Sequence, residues 1–302
     1  MRIGIGLNVS GSIDQTIERA IKLRDRGFRS MWASQISGPD TLTVLALVGR
    51  ELPTLNLGTA VIPIQPRHPA MLAAQARTVQ DAIGANLSLG IGLSHQVMVE
   101  GMWGLSFDRP VHFMREYVEA LAPMLRGEPV NYRGERVTAV IPSSVGPKNV
   151  KAPSLLLAAL GPVMLKLAGE LTDGTLLWMT GQKTIAAHVT PVITGAATAA
   201  GRPAPQIICA LPVAISSDLA GARERINETY AIYGTLPSYK AMLVKEGAKS
   251  PADAALIGSR EQVTDLIGKL ADAGVTEFSG AASGNAAERD ETMDLLASLA
   301  NS

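Results

Sequence analysis

Short apolar runs alternate with amphipathic stretches from one end of this 302-residue chain to the other, and that alternation constrains the fold more than any other feature. Runs of this kind, separated by helix-length stretches, specify parallel strands joined by crossover helices. Eight are present, at residues 2–7, 30–33, 56–60, 87–92, 154–158, 175–178, 207–215 and 275–279, which predicts an α/β fold of the (β/α)8 or TIM-barrel type. Such barrels run to about 250 residues or more as one unit, so a single domain over the whole chain is expected. The first helix, 13–26, spaces Ile13, Ile17, Ala20, Ile21 and Arg24 three and four apart and stops at Gly27. Near the other end Ser259 is a plausible cap for a helix whose Leu266, Leu270 and Ala273 lead to Gly274, and a last helix over 286–299 is expected outside the barrel.

Two departures from the repeat are expected as insertions, after strands four and seven. Residues 129–137 read as a small hairpin turning at Arg133-Gly134. Residues 219–257 read as a long helical segment carrying Tyr230, Tyr233, Tyr239 and Met242. At the top of a barrel such a segment forms a lid or wall over the site, or else serves packing or subunit contact.

Composition then narrows the partner. Lys plus Arg and Asp plus Glu balance at 27 each with no basic block, so the footprint expected for nucleic acid or an anionic membrane is missing and a small molecule is the expected ligand. No run approaches the roughly 20 apolar residues of a membrane span and no secretory leader is legible, which points to a cytoplasmic protein. Hydrophobic residues are 47% and aromatics only 4%, so the core must be aliphatic. The single cysteine, Cys209, lies in an apolar run and reads as a buried, inert thiol. There is no His-x-x-x-His, no cysteine pair, no clustering of Asp40, Asp81 and Asp108 at strand ends, no Gly-x-Ser-x-Gly elbow and no P-loop. Metal hydrolysis, serine hydrolysis and nucleotide-triphosphate chemistry are therefore disfavoured, and no metal is expected.

In a barrel of this kind the functional groups stand on the loops that follow the strands. After strand two, Trp32-Ala33-Ser34-Gln35-Ile36-Ser37-Gly38-Pro39 is polar and introduced by an aromatic residue. After strand three, Pro63, Pro66 and Pro69 hold an apolar segment that a helix cannot explain. Strand four ends in Leu89-Gly90-Ile91-Gly92-Leu93-Ser94-His95, whose glycines would let backbone approach a planar ring, although Gly-x-Gly at a strand end equally marks tight packing. Strand five ends in Ala158-Ala159-Leu160-Gly161-Pro162, an ordinary helix start whose free N–H groups also suit a phosphate. His95 is one of four histidines and stands at the functional face.

Taken together, Gly58-Thr59-Ala60-Val61-Ile62-Pro63, His68-Pro69-Ala70, Ala74-Gln75-Ala76, Leu89-Gly90-Ile91-Gly92, Ala158-Ala159-Leu160-Gly161-Pro162 and Ala168-Gly169-Glu170-Leu171-Thr172-Asp173-Gly174 resemble the bacterial luciferase-like monooxygenase superfamily over nearly the whole chain. Within it, Leu93-Ser94-His95-Gln96, Glu100-Gly101-Met102-Trp103-Gly104 and Ser106-Phe107-Asp108-Arg109-Pro110 resemble the actinobacterial oxidoreductases that use coenzyme F420, a deazaflavin.

The resemblance implies a non-proline cis peptide at Ala60-Val61, forming a bulge behind the deazaflavin ring. It implies contacts to the cofactor from Ser34, Gln35, Thr59, Ala60, Val61, Gly92, Leu93 and Ser94. The phosphate end would lie on the backbone of Ala159, Leu160 and Gly161 and on the Met179-Thr180-Gly181 turn, with Lys183 either helping or simply solvated. Where related enzymes carry a histidine after strand two this chain has Gln35, and where the sugar-phosphate dehydrogenase branch carries a carboxylate it has His95. Both changes count against a sugar substrate and leave His95 and Gln35 as the candidate catalytic residues. The implied activity is hydride transfer between F420 and a small organic substrate, in the reductive direction. An FMN-dependent two-component monooxygenase and a non-catalytic F420-binding protein are the alternatives. A homodimer is expected, and the aliphatic loops suit a hydrophobic or planar substrate unless Arg67 and Arg109 both face the pocket.

Overall fold

The computed structural model describes residues 1–35, 38–84 and 86–301. Eight parallel strands form the predicted barrel: β1 (Arg2–Gly6), β2 (Ser30–Ala33), β3 (Asn56–Thr59), β4 (Leu87–Gly92), β5 (Ser154–Ala158), β6 (Gly174–Trp178), β7 (Gln206–Ile215) and β8 (Glu277–Ala282). Each strand pairs with the next, and β8 pairs back onto β1 with Ile3 opposite Phe278, so the eight strands close into a barrel. Strand eight begins at Glu277 rather than at residue 275. Gly274, at φ 102°, ends the preceding helix, and the Thr276 hydroxyl accepts from the Ile207 amide at 2.9 Å before the ladder starts.

The helices begin where side chains can cap them. Ser12 and Gln15 form a capping box for the helix Ile13–Asp25, and Ser259 with Gln262 does the same for Arg260–Asp272. The last helix, Ala286–Ala300, is capped by Asn285 and packs against β1, β7 and β8. An aliphatic core fills the space between helices and barrel. Inside the barrel, Trp32, Leu156, Leu176 and Ile208 pack together, with half-buried Ala60 and Val61 against them.

At the N-terminal end of the barrel Glu277 is buried. Its carboxylate accepts from the Ser30 hydroxyl at 2.5 Å and the Trp32 indole N–H at 2.6 Å, and it pairs with Arg2 at 2.9 Å. This one side chain ties β8 to β1 and β2. A concavity at the same end is lined by Arg2, Ser30, Trp32 and Glu277 among others, but the groups around it are engaged with one another.

Both insertions are present. The hairpin pairs Val130–Arg133 with Thr138–Ile141, and the buried Glu116 carboxylate accepts the N–H groups of Glu135, Arg136 and Val137 at its turn, at 2.7, 2.7 and 2.8 Å. The segment after β7 contains the helices Leu219–Thr229, Pro237–Glu246 and Pro251–Ala254 and a 3-10 turn at Ala231–Gly234. It is not helical throughout. It ends in a short strand, Leu256–Gly258, that adds to the end of β7 opposite Val213–Ile215. No helix among the described residues is long and apolar enough to cross a membrane.

Candidate active site at the C-terminal mouth of the barrel

Strand three is interrupted, and the interruption shapes the mouth. After Thr59 the ladder to β4 breaks, and it resumes at Ile62–Pro63 opposite Ile91 and Gly92. In the gap the Thr59 hydroxyl takes over the missing backbone partners: it donates to the Gly90 carbonyl and accepts from the Gly90 amide, both at 2.8 Å. The intervening peptide, Ala60-Val61, is cis, as the resemblance implied. It is held from β2, where the Ala33 carbonyl accepts the Ala60 amide at 2.8 Å and the Ser34 hydroxyl donates to the Ala60 carbonyl at 2.8 Å.

The two glycines of β4 make room for this bulge. A Cβ on Gly90 would lie 2.1 Å from the Thr59 carbonyl oxygen, and one on Gly92 would lie 2.7 Å from Val61 Cγ2. Gly90→Ala is therefore expected to destabilise the barrel by about 2 kcal/mol, because the neighbour is backbone that cannot rotate away. Urea unfolding checks this as a lower midpoint at unchanged slope.

Beyond β4, Ser94 takes φ 58° and turns the chain into the helix Gln96–Gly101. His95 stands at its start, half-buried, its imidazole without a hydrogen bond among the described residues; its ring lies 5.7 Å from that of Tyr239. Burial holds its imidazole below the usual value of 6.5. Beyond β5, Gly161 opens the helix Pro162–Leu171; among the described residues no side chain caps it, and the space where its Cβ would be is open. The preceding Leu160 carbonyl is 2.9 Å from His188 Nε2.

Beyond β6 the arrangement differs. Met179, at φ 51°, and Thr180 are buried, and the start of the following helix is occupied by the Glu246 carboxylate of the insertion. Glu246 accepts from the Thr184 amide at 2.8 Å, the Thr184 hydroxyl at 2.7 Å and the Lys183 amide at 3.1 Å. Cys209 lies beneath, fully buried, and desolvation raises its thiol pKa far above the usual range.

The insertion walls the mouth with aromatic rings. Trp178, at the end of β6, meets Tyr230 at 5.4 Å and Tyr233 at 5.7 Å, both edge-on, and Tyr233 meets Tyr239 at 5.0 Å. With the His95 contact, a continuous string of rings crosses from β6 to the β4 loop. Tyr230, Tyr233 and Tyr239 stood out in the sequence as part of the insertion, but Trp178 did not stand out as a wall residue. Its position at a strand end was the available signal.

The other expected residues divide. Half-buried Ala60, Val61, Leu93, Ser94 and Leu160 reach the mouth beside exposed Ser34, whereas the side chains of Thr59, Ala159, Met179 and Thr180 are buried and only their backbone is available. Gln35 spends its side-chain oxygen on the Thr41 amide at 2.7 Å. Ile36 and Ser37 of the same loop lie outside the described residues. Lys183 is exposed. Neither arginine is free to face a pocket: Arg67 pairs with Asp40 at 2.6 Å, and Arg109 pairs with Glu135 at 2.6 Å on the surface. Among the described residues no group of three or more His, Cys, Asp or Glu side chains is placed to hold a metal ion.

A closed parallel barrel with an interrupted third strand and a walled C-terminal mouth defines the class, and the comparisons fix it: the chain belongs to the luciferase-like monooxygenase family, which it matches over residues 1–277. It is similar to a putative coenzyme F420-dependent oxidoreductase of Mycobacterium tuberculosis, 30% identical over 191 residues, 58% of this chain and 55% of that one. Its fold is shared with the coenzyme F420-dependent tetrahydromethanopterin reductase of Methanopyrus kandleri, with TM-score 0.79 and 23% identity over 98% of this chain and 97% of that one. It is shared too with the FMN-bound oxygenating constituent of 3,6-diketocamphane monooxygenase from Pseudomonas putida, with TM-score 0.76 and 18% identity over 98% and 97% of the two chains.

Proposed function

We propose that this chain is a coenzyme F420-dependent oxidoreductase that transfers hydride between the deazaflavin and a small, uncharged organic substrate, acting as a reductase. The observation that carries the reading is the placement of three features on consecutive strands of one mouth: the Ala60-Val61 bulge after β3, His95 after β4 and the uncapped Gly161 turn after β5. That order suits an elongated cofactor with its phosphate end on the free N–H groups of the Gly161 turn and its ring above the bulge. The named M. tuberculosis relative supports F420 as that cofactor.

When bound, a deazaflavin supplies the carbon that gives or takes hydride. The chain's own residues orient and shield. Ala60, Val61 and Gly92 offer a floor, while the Trp178, Tyr230, Tyr233 and Tyr239 rings wall the mouth and keep water from the reacting face. His95 holds the proton that a reduced substrate needs, on an imidazole nitrogen within the same mouth. With Arg67 and Arg109 committed elsewhere, nothing described at the mouth favours a charged substrate.

A donor role for His95 sets the sign of the pH dependence. The protonated imidazole is present below its folded pKa and is lost as pH rises through it, and burial puts that pKa below 6.5. Reductive turnover is expected to fall with rising pH through a midpoint below 6.5. An initial-rate profile over about pH 5 to 8 checks this, and a flat profile removes His95 as the donor.

The reading itself is tested by following reoxidation of reduced F420 by the protein under nitrogen with a panel of enones, imines and carbonyl compounds. Turnover without dioxygen supports it. Turnover only with reduced FMN and dioxygen would favour the two-component monooxygenase, a reading that the FMN-bound structural neighbour keeps specific. Retained F420 affinity with no turnover on any of these compounds would favour a non-catalytic F420-binding protein.

A further inference from the structure

The two turns that the resemblance assigns to the phosphate end are not equivalent. The Gly161 turn fits an anion: its helix runs from Pro162 to Leu171, and among the described residues no side chain caps it and no atom fills the space beside Gly161. The turn after β6 does not fit one. Its amide donors at Lys183 and Thr184 and the Thr184 hydroxyl are all bonded to the half-buried Glu246 carboxylate. The carboxylate is packed so closely that a Cβ on Gly181 would lie 2.3 Å from Glu246 Cδ.

We propose that Glu246 is a specificity-determining residue that occupies the donors after β6, keeps the phosphate of a bound cofactor off that turn and confines it to Gly161. Two physical effects act together. The donors a phosphate would use are already satisfied, so binding there must first break three hydrogen bonds. A carboxylate at the same helix start also repels a second anion across a few ångströms of partly desolvated space. Glu246 is the last residue of the helix Pro237–Glu246, which continues from the segment bearing Tyr233 and carries Tyr239, so one side chain both closes the turn and anchors the aromatic wall. In its cofactor arm the proposal rests on the F420 reading above; in its phosphate arm it does not.

The test uses the intact protein, Glu246→Gln, which removes the charge but keeps a carbonyl acceptor, and Glu246→Ala, which also frees the donors. Each is titrated with inorganic phosphate, followed by thermal shift, and with oxidised F420 and its ring fragment lacking the phosphate-bearing tail, followed by fluorescence. Phosphate should raise the melting temperature of Glu246→Ala more than that of the parent. F420 should bind roughly tenfold tighter to at least one variant while the ring fragment changes little, as expected when a like charge is removed from beside a phosphate. If Glu246→Ala does not fold, Glu246→Gln carries both titrations. An equal phosphate response across the proteins, or F420 affinity unchanged or weakened in the variants, overturns the proposal and leaves Glu246 as a structural anchor. If the phosphate responses differ but no protein binds F420, the cofactor reading fails while the role of Glu246 stands.

Discussion

His95→Gln is expected to lower reductive turnover by roughly 10²- to 10³-fold while changing F420 affinity by no more than about twofold, the range typical of losing a positioned proton donor. The asymmetry between the two readouts comes from position. His95 faces the mouth from the β4 loop and its imidazole makes no hydrogen bond among the described residues, so replacing the side chain frees no partner and opens no buried network. Its one ring contact among the described residues, to Tyr239, is a tilted approach at 5.7 Å, so the wall keeps its other contacts when the imidazole goes. The variant should also lose the fall in turnover with rising pH. A fall in affinity that matched the fall in turnover would instead make His95 a binding residue, and unchanged turnover would remove it from the chemistry.

Glu277→Ala is expected to cost the fold about 3 kcal/mol, because it strands the Trp32 indole N–H and the Ser30 hydroxyl in the barrel interior and removes the Arg2 ion pair. Urea unfolding reads the loss directly. Glu277 sits at the opposite end of the barrel from His95, where side chains in this fold serve stability rather than chemistry. Below the unfolding transition, therefore, Glu277→Ala should bind F420 as the parent does. A stability loss below about 1 kcal/mol would mean that water or a neighbour replaces the carboxylate, and an activity loss in the folded variant would contradict the separation of the two ends.

The barrel was legible because its code is local and repeated. All eight strands fall on the apolar runs, and the Ser259 cap is a short-range signal that the chain obeys. The limits appear where long-range contacts decide. Strand three ends at Thr59 rather than residue 60 because the Thr59 hydroxyl replaces a backbone partner at Gly90, 31 residues away. Strand eight runs on through Gly280, Ala281 and Ala282, small residues that look like loop but lie in register with β7. Leu256–Gly258 is a strand only because the long end of β7 is there to pair with it.

The candidate site shows the same division. The Ala60-Val61 cis peptide was accessible through family resemblance and the Gly161 turn as a helix start after strand five, because both belong to the chain's own local path. The Glu246 contact with the turn after β6 spans 62 residues to Thr184, between an insertion and a barrel loop, and no periodicity encodes it. Gln35 was singled out by position, yet in the structure its side-chain oxygen serves the start of the helix Thr41–Glu51.

Whether a deazaflavin is held at the C-terminal mouth is decided by titrating the purified protein with oxidised F420 and, separately, with FMN, following fluorescence. Binding of F420 is expected at micromolar or tighter concentration with FMN at least about tenfold weaker, a difference of about 1.4 kcal/mol. Preference for FMN, or no binding of either, would contradict it.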